Sequence, residues 1–150
     1  MFDTHCHLNF SRFKKRLYDV VGSAREKGVT HFLIPGIDVG SSKRAIEVSK
    51  EIKFAFVACG IHPNSNLEQL DLEKALYHIE ELCLKTDKVV AIGEIGLDYY
   101  PASFEKKGLN KTIPSTQKLF FKEQIRLAIK LDKSVIIHNR KASGDLILIL

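Results

Sequence analysis

The sequence predicts an α/β protein built on a parallel sheet, and three observations point there. Short, apolar, β-rich runs recur along the chain, and segments of helical periodicity lie between them. Histidines and carboxylates gather at one end of those runs. Alternation of this kind fits parallel strands joined by right-handed crossovers, either as an open doubly wound sheet or as a closed (β/α)₈ barrel.

The first run is residues 1–5, inside "MFDTHCHLNF". Side chains alternate along an extended chain, so His5 and His7 face one way and Cys6 the other. Helical periodicity follows over 13–27 and stops at Gly28. The second run is 31–34, with a helix over 42–50 behind a turn at Gly40. The third is 54–59. After it, Leu72, Ala75, Leu76, Ile79, Leu82 and Cys83 keep the i, i+3, i+4, i+7 spacing of a helix behind a cap at Asp71. The fourth run is 89–92, followed by a long polar connection over 93–114, a length that is often functional. A helix over 115–131 after Pro114 leads to the fifth run, 135–137. These runs are too short and too evenly apolar for exposed antiparallel strands, and fit strands buried on both faces.

Composition sets the class. With 150 residues, 45% hydrophobic and 27% charged, the chain can form one domain, 1–150, with a real core. Its net charge of +5 admits a polyanionic partner. The basic residues are scattered, with Lys14, Lys15 and Arg16 early, Lys106 and Lys107 in the long connection, and Lys118 and Lys122 on a later helix. They read mainly as solvated faces. Cys6, Cys59 and Cys83 are odd in number and widely spaced, which argues for packing residues in a reducing compartment and against a disulfide framework. No apolar run approaches the length of a membrane span, so a cytoplasmic protein with no membrane partner is expected. No G-x-G-x-x-G or G-x-x-x-x-G-K-[ST] follows a run, which weakens nucleotide-binding versions of the fold.

The chemistry lies where the strands end. The first run ends in His5-Cys6-His7, the third in "CGIHPN" with His62, the fourth in "AIGEIGLDYY" with Glu94 and Asp98, and the fifth in "VIIHNR" with His138 and Arg140. Sites in parallel α/β folds form at the carboxyl ends of strands. A lone H-x-H is a weak signal, but imidazoles and a carboxylate converging from several strands make a mixed N/O site for zinc, manganese or magnesium. Such an ion lowers the pKa of water from 15.7 toward ~7 and polarises an ester or phosphoryl oxygen, so hydrolysis is the expected chemistry. Arg140 is placed to fork onto a phosphate oxygen. His31, at the start of a strand, and His78, on a helix, read as structural.

The run of "DTHCHL", "GIHP", "VAIGEIGLDYY" and "QKLFFKEQ" leading into "LAIKLDKSVIIHNRKA" resembles the TatD family of metal-dependent deoxyribonucleases, among the amidohydrolase-like TIM barrels. The resemblance runs from residue 1 to the last residue. It implies a (β/α) TIM-barrel fold and hydrolysis of phosphodiester bonds in DNA. It implies two divalent metal ions, one held by His5 and His7, a catalytic Glu94 that ligates and bridges both, and His138 on the second. His62, Asp98, Tyr99 and Arg140 would line the substrate cleft or support the ligands.

Two departures accompany the resemblance. Lys141 stands where the family usually has an aspartate after the arginine. Strand starts spaced by about thirty residues give about five of the eight βα units of a closed barrel of roughly 250 residues, so a partial, truncated barrel is expected. The family's further histidine from a sixth strand and aspartate from an eighth have no counterpart here. The aspartate would position or deprotonate the attacking water, and its loss should cost more than affinity. Unpaired strand edges invite self-association. Two other functions fit the same residues: an amidohydrolase-like enzyme acting on another ester or amide, and a non-catalytic metal-binding or assembly fragment.

Overall fold

The computed structural model describes residues 1–100 and 113–150. Lys106, Lys107 and most of the predicted long connection lie outside the described residues. Five strands form one parallel sheet in the order β1-β2-β3-β4-β5: β1 (Phe2–Asp3), β2 (His31–Pro35), β3 (Ala55–Cys59), β4 (Val89–Asp98) and β5 (Ser134–Arg140). Between and after them run α1 (Leu17–Glu26), α2 (Val39–Glu51), α3 (Leu72–Leu84), α4 (Pro114–Lys130) and α5 (Ser143–Ile149), with short 3₁₀ turns at Ser11–Phe13 and Leu67–Gln69.

Local chemistry sets the helix starts. Asp38 Oδ1 accepts from Ser41 N at 2.6 Å and Ser41 Oγ accepts from Asp38 N at 3.0 Å, a reciprocal cap that starts α2 three residues before the predicted 42. Asp71 caps α3 as expected, its Oδ1 accepting from Lys74 N at 3.0 Å. Pro114 opens α4, where its missing N–H costs nothing.

The main core lies between sheet and helices. Phe32, Ile34, Val57, Cys59, Ile92 and Leu97 meet Val21, Ile46, Ile79, Leu82, Phe120 and Phe121 there. Alternation along the strands sends Leu33, Ala58 and Ala91 to the opposite face, with Phe56 and Ile136 against them.

Four further elements differ from the sequence reading. β1 is only Phe2–Asp3, because Asp3 Oδ1 accepts from His5 N at 3.1 Å and turns the chain out of the ladder. The helix expected over 13–27 is the Ser11–Phe13 turn followed by α1 from Leu17. β4 continues to Asp98, so Glu94 and Asp98 belong to a strand and not to a loop. β5, expected to be buried on both faces, is only half-buried, because within the described sheet it pairs on one side alone.

Glycine explains the length of β4. Gly96 has φ +140°, and a Cβ there would lie 2.0 Å from the His138 carbonyl oxygen. A Cβ on Gly93 would lie 2.6 Å from Ile136 Cβ. The ladder shifts register between Ile92 and Ile95, and the Gly93–Glu94 peptide is cis. Beyond the shift, Gly96 pairs with His138 and Asp98 with Arg140.

Candidate metal centre

The segment after β1 sorts its side chains by face even though it has left the strand. Cys6 is turned inward: its N donates to Leu33 O at 3.0 Å and its Sγ lies 3.4 Å from the same oxygen. Burial, aided by Asp3, pushes the Cys6 thiol up to about 12, so it acts as packing and not as a nucleophile. His5 and His7 turn the other way, their rings 5.1 Å apart. Phe10 stacks on His7 at 4.5 Å, and His7 Nδ1 lies 3.2 Å from Pro35 O at the end of β2. A carbonyl only accepts, so this contact puts the ring proton on Nδ1 and leaves Nε2 with its lone pair.

Glu94 is the hub, 8% exposed. Its Oε2 is 3.2 Å from His5 Nε2 and 3.7 Å from His7 Nε2. Its Oε1 is 3.1 Å from His138 Nδ1 and 3.6 Å from His62 Nε2. Each carboxylate oxygen therefore faces its own pair of imidazoles, delivered by the segment after β1 on one side and by β5 and the segment after β3 on the other. Burial alone would raise the Glu94 carboxyl, but hydrogen bonds from His138 and His62, with the neighbouring imidazoles, hold it well below the usual carboxylate range. Burial is also the largest influence on His7, lowering it and keeping the ring neutral against the opposing pull of Glu94. At His138 burial acts in the same direction, but hydrogen bonds to Glu94 and Asp98 outweigh it and raise the imidazole.

Asp98 sits directly behind His138 and is fully buried. Its Oδ2 is 3.1 Å from His138 Nε2 and accepts from Asn64 Nδ2 at 2.9 Å, while Oδ1 accepts from Tyr100 N at 2.9 Å. A carboxylate behind a histidine fixes the ring's orientation and tautomer and turns the other nitrogen, here Nδ1, toward Glu94.

The sequence-predicted residues are thus brought together unequally. His5, His7, His62, Glu94 and His138 share one cluster, with Asp98 supporting it from behind. The Tyr99 hydroxyl donates to Asp145 Oδ2 at 2.8 Å, and Asp145 in turn pairs with Lys118 at 2.8 Å, so Tyr99 ties β4 to α5 and α4. The Arg140 guanidinium lies over the Tyr100 ring at 4.1 Å, with the Lys141 ammonium 5.2 Å from the same ring. His31 stacks with Phe56 and His78 meets Glu81 Oε2 at 3.2 Å, both away from the cluster.

Several supporting residues are not among the predicted site residues. Asn64 is one. Gln117 and Gln124 are others, both fully buried on α4. Gln124 Oε1 accepts from Ile61 N at 2.7 Å and its Nε2 donates to Ile61 O at 3.1 Å, clamping the residue before His62. Gln117 does the same for Asp98, accepting from its N at 2.8 Å and donating to its O at 3.0 Å. The available signal was the pair of glutamines seven residues apart on the apolar face of a helix, where polar side chains need partners.

The donor chemistry fits divalent cations. His5, His7 and Glu94 form one group and His62, Glu94 and His138 another, each with ligand-type atoms within 4.8 Å of one another. Imidazole nitrogen with carboxylate oxygen suits zinc and other first-row divalent ions.

Comparison with known proteins gives the family and the fold. Residues 2–150 match the family described as TatD related DNase. An uncharacterized metal-dependent hydrolase, YabD, of Bacillus subtilis is 37% identical over 151 residues, covering 100% of this chain and 54% of that protein. The 3'-5' ssDNA/RNA exonuclease TatD of Escherichia coli is 33% identical over 143 residues, covering 95% of this chain and 50% of that protein. The crystal structure of YjjV, a TatD homologue from Escherichia coli, superposes with a TM-score of 0.85 at 27% identity, covering 99% of this chain and 54% of that one. A TatD family hydrolase from Entamoeba histolytica gives 0.82 at 26% identity, covering 99% of this chain and 52% of that one. The chain spans about half the length of these relatives.

Proposed function

The chain belongs to the TatD related DNase family, and from that premise we propose that it carries the amino-terminal half of a metal-dependent phosphodiesterase site acting on single-stranded nucleic acid. Residues 1–150 serve as one domain of that type. The observation that carries the reading is Glu94, whose two oxygens face separate imidazole pairs at 3.1–3.7 Å. That is the arrangement a carboxylate takes when it bridges two cations.

In this reading His5 and His7 would hold one ion, His138 would hold a second, and Glu94 would serve both. Bound divalent ions supply an activated water and charge stabilisation at the phosphoryl group. The chain's own residues do the rest. Asp98 orients His138, Pro35 O orients His7, and Arg140 at the end of β5 offers its planar fork to a phosphate oxygen. A nucleic-acid substrate draws support from the name of the Escherichia coli relative and from the net charge of +5. No helix among the described residues is long and apolar enough to cross a membrane. Three free cysteines favour a reducing compartment, hence the cytoplasm. β1 and β5, the outer strands of the described sheet, favour self-association.

The test is to titrate the chain with Mn²⁺ and then follow cleavage of end-labelled single-stranded DNA and RNA beside a small neutral ester. The reading predicts cation uptake reversed by chelator. It also predicts that Arg140→Ala weakens nucleic-acid cleavage by about 10-fold or more, the scale of one charged hydrogen bond, with ester cleavage little changed. A folded chain that takes up no cation refutes it, and equal losses on both substrates refute the phosphate role of Arg140.

A further inference from the structure

His62 is grouped with Glu94 and His138 by distance alone, yet its hydrogen bonding differs from that of the other imidazoles. Its Nδ1 accepts the backbone N–H of Asn64 at 3.0 Å. A backbone amide has no lone pair to offer, so it can only donate. Nδ1 is therefore an acceptor, and the ring hydrogen sits on Nε2, the atom that faces Glu94 Oε1 at 3.6 Å.

The ring is held in this pose. His62 N donates to Ile37 O at 2.9 Å, Ser65 N donates to His62 O at 2.9 Å, and Gln124 clamps both polar groups of Ile61. The ring edge packs on His138 with centroids 4.3 Å apart at 62°. His7 and His138 are wired the opposite way. Each has its rear nitrogen against an acceptor, Pro35 O at 3.2 Å and Asp98 Oδ2 at 3.1 Å, so the nitrogen facing Glu94, Nε2 of His7 and Nδ1 of His138, is the one that can stand without a proton and ligate a cation. For His62 to ligate a cation through Nε2 it would have to give up the Asn64 bond or lose its one ring proton and become an imidazolate.

We infer that His62 is not a metal ligand but a fixed Nε2–H donor to a non-bridging phosphoryl oxygen of the substrate, with its tautomer set by Asn64. The inference rests on the phosphodiesterase reading for the identity of the acceptor, though not for the tautomer. Asn64 is then a positioning residue for both halves of the cluster. Its backbone N–H sets His62, and its side-chain amide donates to Asp98 Oδ2 at 2.9 Å, the oxygen that sets His138. The amide orientation is dictated by that carboxylate, since the flipped form would put two acceptors together. A donor aimed at a phosphoryl oxygen gains strength as charge develops there, and removal of one such donor costs about 10²–10³ in kcat.

The first test is long-range ¹H–¹⁵N correlation spectroscopy of the histidine rings in the 150-residue chain, before and after addition of Zn²⁺. The Nε2–H tautomer is expected for His62 and the Nδ1–H tautomer for His7, with His62 keeping its pattern when Zn²⁺ shifts His7 and His138. The second test is cation binding by variants: His62→Ala should keep affinity within about 3-fold, while His138→Ala loses 10-fold or more. The third is kcat, where His62→Gln, which keeps an N–H donor, should recover part of what His62→Ala loses. An Nδ1–H tautomer at His62, a Zn²⁺-induced shift of its Nε2, or loss of a bound cation in His62→Ala would each overturn the inference. A chain that binds no cation would defeat the proposed function, and the tautomer in the metal-free chain would still decide the assignment made here.

Discussion

Replacing Gly96 by alanine puts the junction of β4 and β5 under a load that can be worked out from the structure. The added Cβ would sit 2.0 Å from the His138 carbonyl oxygen and 3.1 Å from His138 N, both backbone atoms that no rotamer change can move. The backbone at φ +140° adds a penalty of about 1–2 kcal/mol for any side chain. Separating the two strands enough to admit a methyl group costs about 1–3 kcal/mol more. The sum, about 2–5 kcal/mol, corresponds to a fall in Tm of roughly 4–20 °C for a domain of this size. Because the atom pushed away belongs to His138, the same change should weaken cation binding on the Oε1 side of Glu94. Gly22→Ala is the matched control. Gly22 lies inside α1 with nothing within 4 Å of the added carbon, and its replacement should stabilise the chain by about 0.5–1 kcal/mol. Thermal melts followed by circular dichroism, with Mn²⁺ titration of the folded variants, measure both effects. A Gly96→Ala protein that melts with the parent and binds cation equally well would refute the close approach and the reasoning built on it.

Other substitutions and pH test the cluster from different sides. Glu94→Gln keeps the shape of the hub and removes its charge, so uptake of both cations should fall together by at least 100-fold, about 2.7 kcal/mol, in a calorimetric titration; loss of only one would contradict bridging. Gln124→Leu leaves both polar groups of Ile61 without their partner and should cost about 1–3 kcal/mol in urea unfolding, with no comparable loss for the exposed Lys122 on the same helix in Lys122→Leu. His138 is raised above its ordinary 6.5, so its favourable contacts are complete below that pH and fade as pH climbs through the raised value. The metal-free chain should therefore lose stability over that window while its cation affinity increases, because Nδ1 must shed its proton to ligate. A metal-free melting temperature that rises over the window would show the sign to be wrong.

How much of this was legible in the sequence differs from residue to residue. The order of strands and helices followed from periodicity, because core-facing residues such as Ile79 and Leu82 on α3 obey local geometry. The ends of elements did not, because they are decided by partners far along the chain. β4 runs on to Asp98 only because Gly93 and Gly96 let Ile136 and His138 come close, and a reading without β5 stops it at Ile92. His5 and His7 were rightly read as facing one way, though the reason is not a strand. Cys6 is drawn to Leu33 O, and its neighbours turn outward. The ligand-type residues were legible as a list of strand-end histidines and one glutamate, but the central place of Glu94 was implied by the family resemblance alone, since the four distances that define it come from separate elements. Asp98, read as lining the cleft or supporting the ligands, takes the second of those places, behind His138. Asn64, Gln117 and Gln124 act through backbone groups and buried amides, whose partners no local pattern names.

The claim on which the rest depends is that Glu94 bridges two cations. Electron paramagnetic resonance of the chain loaded with Mn²⁺ tests it most directly, because two Mn²⁺ ions sharing a carboxylate are exchange-coupled and isolated ions are not. The account predicts a coupled dinuclear signal in the parent chain that collapses to single-ion character in His138→Ala. Two ions bound with only uncoupled Mn²⁺ hyperfine spectra at every loading would contradict it.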